Sequence, residues 1–261
     1  MKHCDLFGII KFFKNEEYLN QLCGGKLFCN TPEFYRLHNE KGISDPFESC
    51  AWSYRRGRGD EPAKVVIDGH KIDGLSSVTF RSNGIKDSWL HCWTALAEPK
   101  DDIELLNLVN DLNRIRSEFG LNYAYIPPSK IKPFIDYIQS MTTHHVNAGM
   151  VSYSNKRTDW SPACKSTNYE YQREYRILIG ECKELSVEPL VIESKTNFND
   201  FIMRDIKIEI TSKDGEWIWF GLNGCSEIIH DKSSNSIAQP ATSADPVKVG
   251  GVTGKSCNRV R

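Results

Sequence analysis

Gln172-Arg173-Glu174-Tyr175-Arg176-Ile177-Leu178-Ile179-Gly180 opens on charged and polar residues and closes as an apolar, β-forming run ended by glycine. That reads as a strand leaving a polar rim for a core. If the segment is extended, Gln172 and Glu174, two residues apart, share one face. On an edge strand, exchanging the Glu174 carboxylate for its amide would leave no buried unpaired charge. Around this strand the second half of the chain is dominated by further strand signals at 150–153, 187–193, 206–211 and 217–222, with one helical turn at 198–203.

The first half alternates strand and helix. A strand is predicted over 7–13, followed by a short helix that Asn15 caps, with Glu16 and Glu17 at its positive end and Gly24-Gly25 as its stop. Lys26 to Cys29 reads as a strand, and Thr31-Pro32 opens another short helix over 33–38. Residues 39–64 carry few element signals and are expected to form a long loop. Asp68-Gly69 between two apolar triplets marks a hairpin, and the β pattern continues over 77–82 and 89–96. The clearest helix follows Asp101-Asp102, where Leu105, Leu106, Val109, Leu112, Ile115 and Phe119 keep a helical period up to Gly120. Another is expected over 133–141. Together these elements predict an α+β fold, a mainly antiparallel β core flanked by helices, in one domain over 1–229. Residues 230–261 are rich in Ser, Pro, Gly and Ala and read as a flexible polar tail.

Composition limits the partners. Thirty-three basic against thirty-four acidic side chains give a net charge of -1, so no global electrostatic footprint for duplex DNA exists and any nucleic-acid contact must be local. The candidate patch is Arg55, Arg56 and Arg58, beside Trp52 and Tyr54, a mixture of guanidinium and aromatic groups that suits single strands. Nine cysteines, odd in number and never in a CxxC pair, argue against a disulfide framework or a zinc ribbon. With no long apolar run and no cleavable leader, the expectation is a cytoplasmic protein with no membrane partner. His144-His145 and Cys164 lack the spacing of a metal site or an identified base for a thiol nucleophile. No metal is predicted.

The Gln172-x-Glu174 element resembles that of the ADP-ribosyltransferase superfamily, in which a Q-x-E or E-x-E element on a late strand carries the catalytic glutamate. The opening strand and the segment Glu17-Tyr18-Leu19 to Gly24-Gly25-Lys26-Leu27 are similar to the first strand and following turn of its NAD-binding members, including bacterial toxins that modify nucleic acids. The resemblance implies that Glu174 is catalytic and that Gln172 touches NAD or the acceptor. It implies that Lys11 stands where the family usually offers His or Arg to NAD; lysine supplies a charge but no bidentate fork. Trp93 and Thr94, on the strand Trp89-Leu90-His91-Cys92-Trp93-Thr94, correspond to the aromatic and hydroxyl that border the nicotinamide. Tyr35 is a candidate for stacking on a ring of NAD, with Asp45 or Glu48 near enough in sequence to orient a ribose.

The chemistry fits a carboxylate. Breaking the nicotinamide–ribose bond builds oxocarbenium character, which a carboxylate on a ribose hydroxyl stabilises increasingly toward the transition state. The implied function is transfer of ADP-ribose from NAD to a macromolecule such as RNA or DNA, in the manner of toxins of bacterial or phage conflict, with an antitoxin or chaperone as a further partner. The alternatives are a non-enzymatic nucleic-acid- or protein-binding module of the same fold and, more remotely, a cysteine hydrolase at Cys164.

Overall fold

The computed structural model describes residues 6–82, 84–211 and 218–223; the expected tail lies outside them. In chain order, β1 (Leu6–Phe13) leads into α1 (Glu16–Cys23), β2 (Lys26–Cys29) and α2 (Pro32–Leu37). Then come β3 (Trp52–Arg55), the hairpin of β4 (Val65–Ile67) and β5 (His70–Ile72), β6 (Ser77–Phe80) and β7 (Trp89–Ala97). Helices α3 (Asp102–Phe119) and α4 (Pro128–Met141) enclose β8 (Asn122–Ile126), and β9 (Val146–Met150), β10 (Ser152–Ser154) and β11 (Cys164–Ser166) follow. The late strands are β12 (Glu174–Ile179), β13 (Leu190–Glu193), β14 (Met203–Arg204), β15 (Ile208–Thr211) and β16 (Ile218–Leu222). The result is mixed α+β, as expected.

Local chemistry explains the boundaries. Asn15, Thr31 and Asp101 each accept a backbone N–H from the first turn of α1, α2 and α3, satisfying donors that a helix start leaves open. Asp68 and Gly69 both take positive φ, which matches the primed turn of a two-residue hairpin. Helix α4 starts five residues before the expected 133, at Pro128, and carries Pro133 inside it. Burial of Ile131, Phe134 and Ile138 outweighs the hydrogen bond that Pro133 removes. The expected loop 39–64 is interrupted by β3 and a single 3₁₀ turn at Arg56–Arg58, because β3 pairs with the distant β6, a partner that local patterning does not reveal.

Six strands form the main sheet in the order β14-β8-β1-β7-β12-β9, every neighbouring pair antiparallel. One face packs Ile9, Trp93, Ile126 and Ile177 against Leu19, Phe134, Ile138 and Phe198. The other packs Ile10, Phe12, Leu96 and Tyr123 against Leu108, Leu112 and Ile115 of α3 and against Phe220 and Leu222 of β16.

The register places the site. The ladder between β1 and β7 runs from Leu6–Ala97 to Ile10–Thr94. Past that point β1 stays paired with β8 down to Phe13–Asn122, while β7 stays paired with β12 down to Trp89–Ile179. The sheet therefore parts into two halves between β1 and β7. Strand β12 lies inside the sheet, between β7 and β9, which corrects its expected place at an edge.

Candidate functional site

A cleft of about 500 Å³ opens where the two halves part, within the usual size of small-molecule sites. It is lined by Lys11, Tyr35, Trp93, Thr94, Gln172 and Glu174, and also by Glu48, so the fold gathers these positions into one place; Asp45, the other carboxylate named for a ribose, lines a separate pocket. Residues from both faces of β7 line it, His91 and Trp93 on one and Cys92 and Thr94 on the other. Lys11 bridges the parted strands, its Nζ donating to the Cys92 carbonyl at 2.7 Å. Burial lowers the pKa of that ammonium.

Glu174 is buried within a charge cluster. Its Oε1 accepts from Lys165 Nζ at 2.8 Å and its Oε2 from Arg176 Nε at 2.5 Å. Arg176 spends the rest of its fork on Glu48, with both terminal nitrogens 2.8 Å from that carboxylate, the bidentate geometry that suits arginine. Its Nη1 also donates to the Pro162 carbonyl at 2.8 Å. Lys165 Nζ lies 3.6 Å from Glu48 and 3.9 Å from Asp45. Burial alone would push Glu174 up, but Arg176 and Lys165 pull it down to about 2. Glu48 is likewise held below the usual carboxylate range against its burial, by the same two cations. Asp45 goes the other way: burial, then the Glu48 charge, raise it to about 6.

Gln172 reaches the cluster by a different route from the extended one expected. It ends a 3₁₀ helix, and Arg173 behind it is left-handed, at φ 47°, so the pair is not consecutive on one strand face. Lys165 joins them instead: its Nζ donates to Gln172 Oε1 at 2.9 Å as well as to Glu174. Gln172 in turn donates to the Gly42 carbonyl at 2.8 Å. Lys165 had no signal in the sequence, since a lone lysine in a short polar strand gives none. Of the two carboxylates offered for a ribose, Glu48 joins the cluster through Arg176 and Asp45 lies beside Lys165; Arg176 itself had no separate signal in the sequence.

The arginine patch is corrected. Arg55 is buried, its Nε and Nη2 each 2.6 Å from the carboxylate of buried Glu33. Arg58 is partly buried and spends its guanidinium on Asp60, Ser53 and the Arg36 carbonyl. Arg56 alone of the three is exposed. Two guanidinium groups committed to internal carboxylates and carbonyls leave no three-arginine face for phosphates. Glu33 also belongs to a second buried network in which Arg36 forks onto Asp87 at 2.9 and 3.0 Å.

Comparison with protein-family models, with curated proteins and with solved structures finds no match to the chain. The functional reading therefore rests on the cleft itself. Among the described residues no cluster of three or more His, Cys, Asp or Glu could hold a metal ion, and no helix is long and apolar enough to cross a membrane.

Proposed function

We propose that the cleft binds NAD and transfers its ADP-ribose to a macromolecular acceptor, with protein, RNA and DNA as the classes to be tested. The observation that carries this reading is Glu174: an ionised carboxylate in the cleft where the sheet parts, lined also by Lys11, Tyr35, Trp93, Thr94 and Gln172. A carboxylate offers about four acceptor positions, and Lys165 and Arg176 take one on each oxygen. Capacity remains for a ribose hydroxyl, in an orientation fixed before the reaction begins.

In this reading nicotinamide leaves with the electrons of its bond to the ribose. Glu174 stabilises the developing positive charge, and an acceptor hydroxyl or amine attacks the same carbon and gives up its proton to solvent water. Lys11 supplies a cation for a phosphate, and its lowered pKa makes that attraction sensitive to alkaline pH. The experiment is incubation of the full chain with NAD labelled in the adenylate half, following both NAD loss and label on protein, RNA or DNA.

A second reading, a binding module of the same architecture without turnover, is favoured by one observation: both Glu174 oxygens already sit in ion pairs, which spreads the field a catalytic carboxylate would exert. NAD binding with no loss of NAD in any acceptor mixture would select it.

A further inference from the structure

We propose that His91 and Trp93 form a recognition pair for the carboxamide of nicotinamide, an assignment that rests on reading the cleft as a NAD site. Both residues line the cleft, two apart on one face of β7, with ring centroids 5.8 Å from each other. Both are more than nine-tenths buried, at 4% and 2% exposure. Neither His91 Nε2 nor Trp93 Nε1 has a hydrogen-bond partner among the described residues. Buried polar atoms are normally paired, so two adjacent orphans beside a cleft call for a ligand.

The protonation states are fixed by neighbours. His91 Nδ1 lies 2.8 Å from the Phe28 carbonyl, and a carbonyl only accepts, so Nδ1 carries the proton and donates. Nε2 is then a bare lone pair. Burial, reinforced by the Lys11 charge, pushes this imidazole down to about 3, so Nε2 remains an acceptor at neutral pH. The indole N–H of Trp93 can only donate. The pair thus carries one acceptor and one donor on two neighbouring, tilted rings. A carboxylate cannot donate to His91, and an ammonium cannot accept from Trp93.

A flat ring with an adjacent N–H donor and an acceptor satisfies both atoms. On NAD that chemistry occurs twice, in the nicotinamide carboxamide and on the amino edge of adenine. The first is the one assigned, because His91 and Trp93 line, from the opposite face of β7, the same cleft as Glu174, the group placed at the nicotinamide–ribose bond.

The test is ligand-observed NMR titration of the full chain with nicotinamide, 3-acetylpyridine and adenosine. The acetyl compound keeps the ring and the carbonyl but replaces the amide nitrogen by a methyl group, leaving His91 Nε2 unpaired. Nicotinamide should bind roughly tenfold or more tighter than 3-acetylpyridine. His91→Phe should abolish that preference. Trp93→Phe, which keeps an aromatic ring and loses the N–H, should weaken both ligands by a similar factor. Equal binding of the two pyridines to the wild type, a preference that survives His91→Phe, adenosine taking the site instead, or no binding at all would overturn the assignment. NAD loss, measured alongside, separates the two readings. Discrimination without turnover sinks the transferase and keeps the pair; turnover without discrimination does the reverse.

Discussion

Glu174→Gln removes one negative charge from a buried group of three carboxylates, Asp45, Glu48 and Glu174, that faces Lys165 and Arg176. The amide can accept from one cation through its oxygen, but its NH₂ then opposes the other, since the donors lie 2.8 and 2.5 Å from the two carboxylate oxygens. The magnitude follows from linkage. A carboxyl held at about 2 against an ordinary 4.5 contributes about 3 kcal/mol at neutral pH. Removing one partner of a buried pair costs a similar amount, about 3–5 kcal/mol. Glu48 remains beside both cations, which places the expectation at the low end, about 3 kcal/mol. Because the folded pKa is depressed, the contribution is complete above pH 4.5 and is lost as pH falls toward 2. The variant should therefore lack that limb of acid destabilisation. Urea unfolding of the full chain, followed by circular dichroism across pH, measures both effects. Adding Lys165→Gln should recover much of the loss, giving a coupling on the order of 2 kcal/mol. A Glu174→Gln protein within about 0.5 kcal/mol of wild type, with the same acid limb, would refute the buried cluster.

Asp45 carries the opposite sign. Its pKa is raised to about 6 from 3.8, so its contribution is present below pH 3.8 and is lost as pH rises through 6. Asp45→Asn should stabilise the protein at neutral pH by up to about 3 kcal/mol, and a lower melting temperature at pH 7.5 would contradict this. Arg55→Met strips Glu33 of its main buried partner and should cost about 3–5 kcal/mol, whereas Arg56→Ala should stay within about 0.5 kcal/mol; equal denaturation midpoints for the two would reject the distinction. Gly120 has φ +113°, and an added Cβ would lie 2.3 Å from the Phe13 carbonyl oxygen. Gly120→Ala should therefore destabilise by more than the ~1 kcal/mol of a left-handed strain alone, and a wild-type melting temperature would show that the β1–α3 junction can relax.

Much of this fold is legible in the sequence because its signals are local. The cap at Asp101, the period of α3 and the Asp68-Gly69 turn each sit within a few residues. Strand β8 was not legible: Asn122–Ile126 is a short run close behind Gly120, and it is a strand because β1 and β14 flank it. The Gln172–Glu174 spacing singles out two residues that do meet in the cleft, but the reason they converge is Lys165, which arrives from β11. Arg55 looked like a surface cation because its sequence neighbours are polar. Its buried partner Glu33 is 22 residues away, and no local pattern announces such a pair. Likewise the opening between β1 and β7 is a property of register, visible only once the strands are paired.

The central claim is that ionised Glu174 acts on NAD in the opened sheet. The direct measurement is nicotinamide release from NAD by the full chain, with candidate protein and nucleic-acid acceptors present, comparing wild type with Glu174→Gln at equal folded fraction by circular dichroism. The account predicts release by the wild type and a fall of about 10²-fold or more in the variant, with NAD affinity changed little. A folded variant that releases nicotinamide at the wild-type rate, or a wild type that never consumes NAD, would contradict it.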